Sequence, residues 1–391
     1  MFSDRTNWKL TRNRFTETLA EVRAAGAGIL DLTISNPTRV GLHYDAQAIL
    51  ASLASPQAMD YDPQPKGLLG AREAVADYYS SQHGSAEVHS ERLVLTTSTS
   101  EGYSHVFRLL CNAGDELLVP KPSYPLFEFL ADLHDVRLAP YPLIYDHGWQ
   151  MDFQSLEKAV TPRSRGVVVV HPNNPTGSYV SCREQEALNH FCREHRLALI
   201  ADEVFLDYAH DRAARPSFAA NRQVLTFTLS GLSKIVALPQ MKVAWIAVSG
   251  PQAEVDEAMA RVEVIADTYL SMNAPIQWAT AALLGQRGNI QKQLLERVLG
   301  NLAELDRQLA AQRTCQRLSV EGGWYVVLRV PVTQTDEDLA IDLLRKKSVI
   351  VHPGHFYDFP SDGYLVLSLI TPEDEFREGI GRLLELMIAD C

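Results

Sequence analysis

The sequence has no long apolar run. Its apolar stretches, such as 166–170 (GVVVV) and 197–201 (LALIA), are strand-sized and well short of the ~20 residues that a membrane-spanning helix needs. The N-terminus, MFSDRTNWKLTRNRF, lacks a continuous hydrophobic segment, so neither a secretion signal nor a membrane association is expected. Arg5, Arg12 and Arg14 suggest an organelle leader, but Asp4, Glu17 and Glu21 spoil its acid-poor pattern. A dense Lys/Arg stripe is also missing. The 36 basic residues against 48 acidic ones leave a net charge of -12, which argues against a binder of nucleic-acid backbone. No CxxC pair occurs among Cys111, Cys182, Cys192, Cys315 and Cys391; their odd number and mostly apolar or helical settings read as reduced thiols of a cytoplasmic protein. Internal repeats and low-complexity linkers are absent too, so the parts of the chain should pack firmly together.

What is present is an alternation of short apolar strands and helical stretches. Strand-like runs fall at 93–95, 116–120, 136–143, 166–171, 197–205, 224–229 and 243–248. Several are apolar at consecutive positions, as expected of strands covered by helices on both faces. The fold class is therefore α/β, a large domain with a mostly parallel central sheet between helices. Tyr103, Val106, Phe107 and Leu110 recur at helical spacing and predict a helix leaving the first strand. Residues 275–312 keep a helical pattern, which predicts one long helix connecting two lobes. Beyond it, strands at 325–330, 349–352 and 364–369 and a helix near 336–346 predict a smaller α+β domain.

Polar residues gather where these strands end. Ser98, Thr99, Ser100 and Glu101 stand at a helix N-terminus, where free backbone N–H groups suit a phosphate; a Ser98–Glu101 capping box explains the same string. In 171–177 (HPNNPTG), two prolines and a glycine make a rigid turn that leaves the Asn174 amide at the strand's C-terminal edge, the edge at which open α/β sheets bind ligands. Asp202 and Glu203 end an apolar strand, where a buried carboxylate calls for a cation or strong donor; a solvated strand end or a helix cap is the alternative. Lys234 lies in a small-residue loop, Ser230-Gly231-Leu232-Ser233-Lys234, from which its amine can reach a cleft, although a single lysine is ordinarily a surface charge.

In this order and spacing the chain resembles the class I/II aminotransferases, which are fold-type-I pyridoxal-phosphate enzymes. The resemblance runs from about Asp31 to the C-terminus through TISNPT, YDPQPKGLLGAREAVADYY, TSTSEGY, NAGDELLVPKPSYP, PNNPTG, ADEVF, LSGLSK and VHPGHFYDF. It implies pyridoxal 5'-phosphate as cofactor and Lys234 as the Schiff-base lysine that also moves the substrate proton. It implies that Asp202 pairs with the pyridine nitrogen, Asn174 donates to the ring oxygen O3′, and Tyr124 stacks on the ring face. Ser98, Thr99, Ser100, Ser230, Ser233 and Lys242 are implied around the phosphate. Tyr61 and 267–273 would face the neighbour's cofactor in a homodimer. Ser35, Arg39, Asn174 and His355 are implied at the substrate.

The resemblance also divides the chain into a large domain, 41–288, and a small domain made of 1–40 with 289–391. Departures from the family pattern are Phe205 where a tyrosine often donates to O3′, Lys242 in place of a phosphate arginine, Gly231 in place of a serine, and Val366 in place of the arginine that clamps the substrate α-carboxylate. Val366 leaves two cases, an anchor relocated to Arg39 or His355, or a substrate without a free carboxylate. The expected reaction moves an amino group from a donor to a 2-oxo acid. Carbon–sulfur β-elimination on the same scaffold is one alternative. A cofactor-binding regulatory protein is another, against which stand the retained Lys234, Asp202 and Asn174 and the lack of a helix-turn-helix or basic module.

Overall fold

The computed structural model describes all residues except 27, 86, 87, 390 and 391, so Cys391 lies outside the described residues. Its strands in chain order are β1 (Leu30–Asp31), β2 (Leu93–Thr96), β3 (Glu116–Lys121), β4 (Arg137–Tyr145), β5 (Trp149–Met151), β6 (Ser164–Val170), β7 (Ala198–Asp202), β8 (Thr226–Gly231), β9 (Ala244–Ser249), β10 (Gln316–Arg317), β11 (Tyr325–Arg329), β12 (Val349–Ile350), β13 (His352–Pro353) and β14 (Tyr364–Ser368). Eight of them form the main sheet in the order β2-β9-β8-β7-β6-β3-β4-β5, with β4, β3, β6, β7 and β8 parallel and β2, β9 and β5 antiparallel to their neighbours.

Consecutive apolar residues in the central strands serve both faces. Val168 and Val170 pack with Tyr103, Val106 and Phe107 of the helix Thr99–Leu110, whereas Val167 and Val169 pack with Leu188 and Phe191 of the helix Cys182–His195. The chain turns outward in opposite directions from β3 and β6, and the crevice at such a switch point is where open α/β sheets take their ligands. Tyr124 follows β3, and Asn174 follows β6.

A second, antiparallel sheet, β10-β11-β14-β13, and the short parallel pair β1–β12 share one core with the helix Glu373–Ala389. The β1–β12 pair lays the N-terminal segment against the C-terminal region. Val366 is fully buried in this core, in register with Val327 on one side and His352 on the other. Cys111, Cys182 and Cys192 are thiols in no disulfide, and no described helix is long and apolar enough to cross a membrane.

Three expectations are corrected. The long helix over 275–312 is two helices, Ala274–Gly285 and Arg287–Leu309, broken at Gln286, whose N–H reaches back to Leu283. Gly285 and Gly288 flank the break, and glycine is among the weakest helix formers. The strand expected over 197–205 stops at Asp202, whose carboxylate accepts the Val204 N–H (3.1 Å) and so turns the chain out of the sheet. The edge strand β5, only three residues long, was not expected.

Behind the carboxyl end of β7 lies a buried polar network. Glu203 accepts bonds from Ser217 Oγ (2.6 Å) and Phe218 N–H (2.6 Å). His83 pairs with Asp207 at 2.9 Å, both side chains buried, and Tyr78 and Gln291 also donate to Asp207. Burial pushes the Glu203 carboxyl up to about 7, against its two hydrogen bonds. Burial opposes protonation of His83, but its hydrogen bond and charge attraction to Asp207 outweigh that and raise it above the usual imidazole range. Both groups hold a proton more tightly folded than unfolded, so both contribute stability at low pH that is lost as pH rises through their folded values. Thermal stability should therefore decline between pH 5 and pH 8 on their account. Glu203→Gln, which cannot ionise, should flatten that decline by roughly 2–4 °C in the melting midpoint across the range. An unchanged slope by calorimetry would mean that Glu203 does not titrate in the fold.

Candidate active site

The site forms where three adjacent parallel strands, β6, β7 and β8, deliver their C-terminal ends. Asp202 closes β7, in register with Val170 of β6 and Leu229 of β8. Besides the Val204 N–H, its carboxylate accepts the Tyr103 hydroxyl at 3.0 Å. Burial pushes it up to about 6, while those donors and the charge of Lys234 hold it down. Lys234 follows β8 in the short helix Leu232–Ile235. Its ammonium lies 4.6 Å from the Trp324 ring centre and 5.2 Å from that of Phe205, and the Tyr208 hydroxyl fixes its carbonyl at 2.6 Å. Burial pulls the amine down to about 8, with Asp202 opposing. An amine so placed is free to lose its proton near neutral pH, which a nucleophile or proton carrier requires.

Asn174 follows β6 with its side chain buried, and its Oδ1 meets no partner. A buried amide oxygen without a partner is costly unless something else occupies the space beside it. The turn that carries it is anchored from beyond the main sheet: the Gly177 carbonyl accepts the N–H groups of Glu321 (3.1 Å) and Gly322 (3.0 Å). Gly177 has φ +68°, and a Cβ there would fall 2.4 Å from Val320 and 2.5 Å from the Gly322 carbonyl, so glycine is required twice over. Likewise the Tyr208 carbonyl accepts the Gly323 N–H at 2.9 Å.

The helix Thr99–Leu110 points its N-terminus at the same crevice. Tyr103, which holds Asp202, lies one helical turn beyond Thr99. Ser98 is the cap and accepts the Glu101 N–H (3.2 Å), while Glu101 reaches the Thr97 N–H (2.5 Å) rather than that of Ser98, a capping box shifted by one residue. The hydroxyls of Thr99 and Ser100 have no partner among the described residues, so donors remain for an anion. Ser230 is buried and bonds the Glu203 carbonyl (3.3 Å), whereas Ser233 is half-buried beside Lys234. Lys242 is exposed and sits close to this loop, since the Leu232 N–H reaches the neighbouring Val243 carbonyl (2.9 Å). Gly231 is explained by the same pairing, because a Cβ there would meet Val243 O at 2.7 Å.

The remaining expected residues are less enclosed. Tyr124 is 45% exposed above the crevice and close enough to Asp202 to feel its charge. Phe205 is buried against Trp324, with ring centres 5.2 Å apart. Ser35, Arg39 and His355 are exposed; Ser35 reaches the Tyr325 phenol, Arg39 ends the short turn Pro37–Arg39, and His355 meets the edge of Phe356. Tyr61, 80% exposed, lines a cavity of about 290 Å³ with Asn273 and Trp278, away from Lys234 on a face that also exposes Met59 and Leu270. Sequence reasoning missed Tyr103, Trp324, Tyr325 and Tyr357; in the sequence Tyr103 falls in a helix stripe with Val106, Phe107 and Leu110, and only its hydroxyl distinguishes the two roles.

The arrangement suits pyridoxal phosphate: an amine of lowered pKa, a carboxylate for a ring cation, an unpartnered amide, and free donors at a helix N-terminus. The family model for aminotransferase class I and II matches residues 5–383. Among similar proteins, the alanine aminotransferase of Mycobacterium tuberculosis is 28% identical over 383 residues, covering 95% of this chain and 88% of that protein. The LL-diaminopimelate aminotransferase of Moorella thermoacetica is 27% identical, covering 95% and 94%. The solved structure of an alanine aminotransferase from Pyrococcus furiosus superposes with a TM-score of 0.90 over 100% of both chains at 20% identity, a likeness of fold.

Proposed function

The chain belongs to the class I and II aminotransferases, pyridoxal-phosphate-dependent enzymes, and from that premise we propose how its own residues carry out the transfer of an amino group from an amino acid to a 2-oxo acid. The observation that carries the reading is the juxtaposition of Lys234 and Asp202 on neighbouring strand ends beside the unpartnered Asn174. When bound, the cofactor supplies an aldehyde for the substrate amine and a ring that accepts the electrons left behind at Cα.

Lys234 holds the cofactor and then carries the proton away from the substrate Cα, a task for which a pKa of about 8 is suited. Asp202, oriented by Tyr103 and the Val204 N–H, keeps the ring nitrogen protonated. Asn174 donates to the ring oxygen, and Tyr124 covers one ring face. Ser98, Thr99, Ser100, Ser233 and Lys242 surround the phosphate, while Ser230, turned toward the Glu203 carbonyl, supports the loop that bears Lys234. Ser35, Arg39 and His355 border the substrate entrance. The exposed face bearing Tyr61, Met59 and Leu270 supports a homodimer in which Tyr61 of the partner subunit completes the site. The division into a large domain, 41–288, and a small one of 1–40 with 289–391, and a cytoplasmic setting, belong to the same proposal.

The test is a half-reaction. An amino acid alone should bleach the visible absorption of the loaded enzyme, and a 2-oxo acid alone should restore it. Spontaneous recovery of the band with release of an oxo acid would instead identify a β-lyase.

A further inference from the structure

Val366 is sealed in the small-sheet core and offers a substrate nothing. Around the cleft next to it, however, stand the phenols of Tyr325 and Tyr357, which neither the family match nor the roles above employ, close to Ser35 of the substrate entrance. Tyr325, the first residue of β11, packs edge-on to Phe205 (ring centres 6.2 Å apart), and Phe205 lies under the Lys234 ammonium. Ser35 lies close to the Tyr325 phenol. Tyr357 comes from the loop after β13, which is tied to the end of β3 by the Ser123 N–H bonding its carbonyl at 2.9 Å. The Tyr357 phenol lies near those of Tyr325 and Tyr124, and it meets Nδ1 of His352 at 3.1 Å. His352 is the residue in register with Val366.

We infer that the hydroxyls of Tyr357, Tyr325 and Ser35 receive the α-carboxylate of the amino acid, with His352 donating from Nδ1 so that the Tyr357 proton is left for the substrate. The assignment rests on the aminotransferase reading for its substrate. Tyr357 is 4% and Tyr325 8% exposed, and hydrogen bonds from such buried neutral donors to a carboxylate are charge-assisted and short. Of the neighbouring acids, Asp358 is paired with Lys121 at 3.1 Å, and Asp31, which accepts the N–H and hydroxyl of Thr33, directs its charge at His352. Tyr357 and Tyr325 are thus specificity-determining residues, and His352 is a positioning residue acting through Tyr357.

The test uses the loaded enzyme and three compounds sharing one side chain: the amino acid that a panel shows to react best, the amine lacking its carboxylate, and the unreactive acid lacking its amino group. Tyr357→Phe should lower kcat/KM for the amino acid by roughly 10- to 100-fold, leave the amine within about twofold, and weaken calorimetric binding of the unreactive acid by a similar factor, with the cofactor spectrum unchanged. Tyr325→Phe should act in the same sense. His352→Phe should reproduce part of the loss, and His352→Gln, which keeps an N–H donor, should recover some of it. Equal losses for acid and amine, or acid binding unaffected by both tyrosine variants, would overturn the assignment. Should no amino acid bleach the cofactor, the aminotransferase reading fails by itself. The panel is then replaced by 3-methylbutanoate, whose binding to wild type and Tyr357→Phe still decides whether these hydroxyls hold a carboxylate.

Discussion

Lys234→Ala should reduce transamination by about 10⁴-fold or more, because the proton carrier is removed and the other amine of the site, Lys242, is exposed and assigned to the phosphate. The Lys234 ammonium lies over the buried pair Trp324 and Phe205, rings that pack edge-on against each other. The exposed Lys242 has no such enclosure, and its backbone leaves the turn with φ 55°. Borohydride reduction of the loaded wild type followed by peptide mapping should therefore place the pyridoxyl group on Lys234. Finding it on Lys242, or finding turnover preserved in Lys234→Ala, would refute the assignment. The variant should remain folded, since the Tyr208 bond goes to the lysine carbonyl and survives the substitution.

Asp202→Asn should lower turnover by roughly 10²- to 10³-fold, the order seen when one preorganised electrostatic group is removed from a site. The substitution keeps the shape, an oxygen for the Val204 N–H and an amide that can donate to the Tyr103 oxygen, so what is chiefly lost is the charge facing the ring nitrogen. The pH dependence separates these effects. In the protein alone the Asp202 carboxyl is held up to about 6 by burial, and a carboxyl group attracts a ring cation only once ionised. Cofactor affinity of the wild type should fall as pH drops below about 6, and the Asp202→Asn variant should lack that component. Identical pH profiles from equilibrium titration of the two proteins would show that Asp202 does not face the ring nitrogen.

The main sheet and its ligand edge were legible because buried parallel strands read as uninterrupted apolar runs; Asn174, Asp202 and Lys234 each had an ordinary structural reading alone, and only their order after successive runs, matching the family pattern, pointed to chemistry. Elements that depend on partners far away in the chain were not legible. The helical pattern over 275–312 does not pause at Gln286; the break becomes visible only when Ala274–Gly285 is seen to pack on Leu69–His83 and Arg287–Leu309 on Glu373–Ala389. Tyrosine hides its role in the same way. On an inward helix face or beside a core strand, Tyr103, Tyr325 and Tyr357 look like packing residues, and their hydroxyl partners, Asp202, Ser35 and His352, are 99 residues away in the first case and on separate elements in the others. Val366 shows the converse. Its absence of charge was plain in the sequence, but what stands beside it depends on the register of β13 with β14.

The chain entering β11 is fastened to the carbonyls of Gly177 and Tyr208, one in the turn of Asn174 and the other in the segment leaving Asp202. Those bonds act as a fulcrum. A second fastening, the Ser123 N–H on the Tyr357 carbonyl with Lys121 on Asp358, joins the loop after β13 to the end of β3, so any rocking of the antiparallel sheet against the main one must turn about the line through both. The groups that grip the cofactor and the phenols facing the substrate are therefore both held within a few residues of the points where the two sheets are joined.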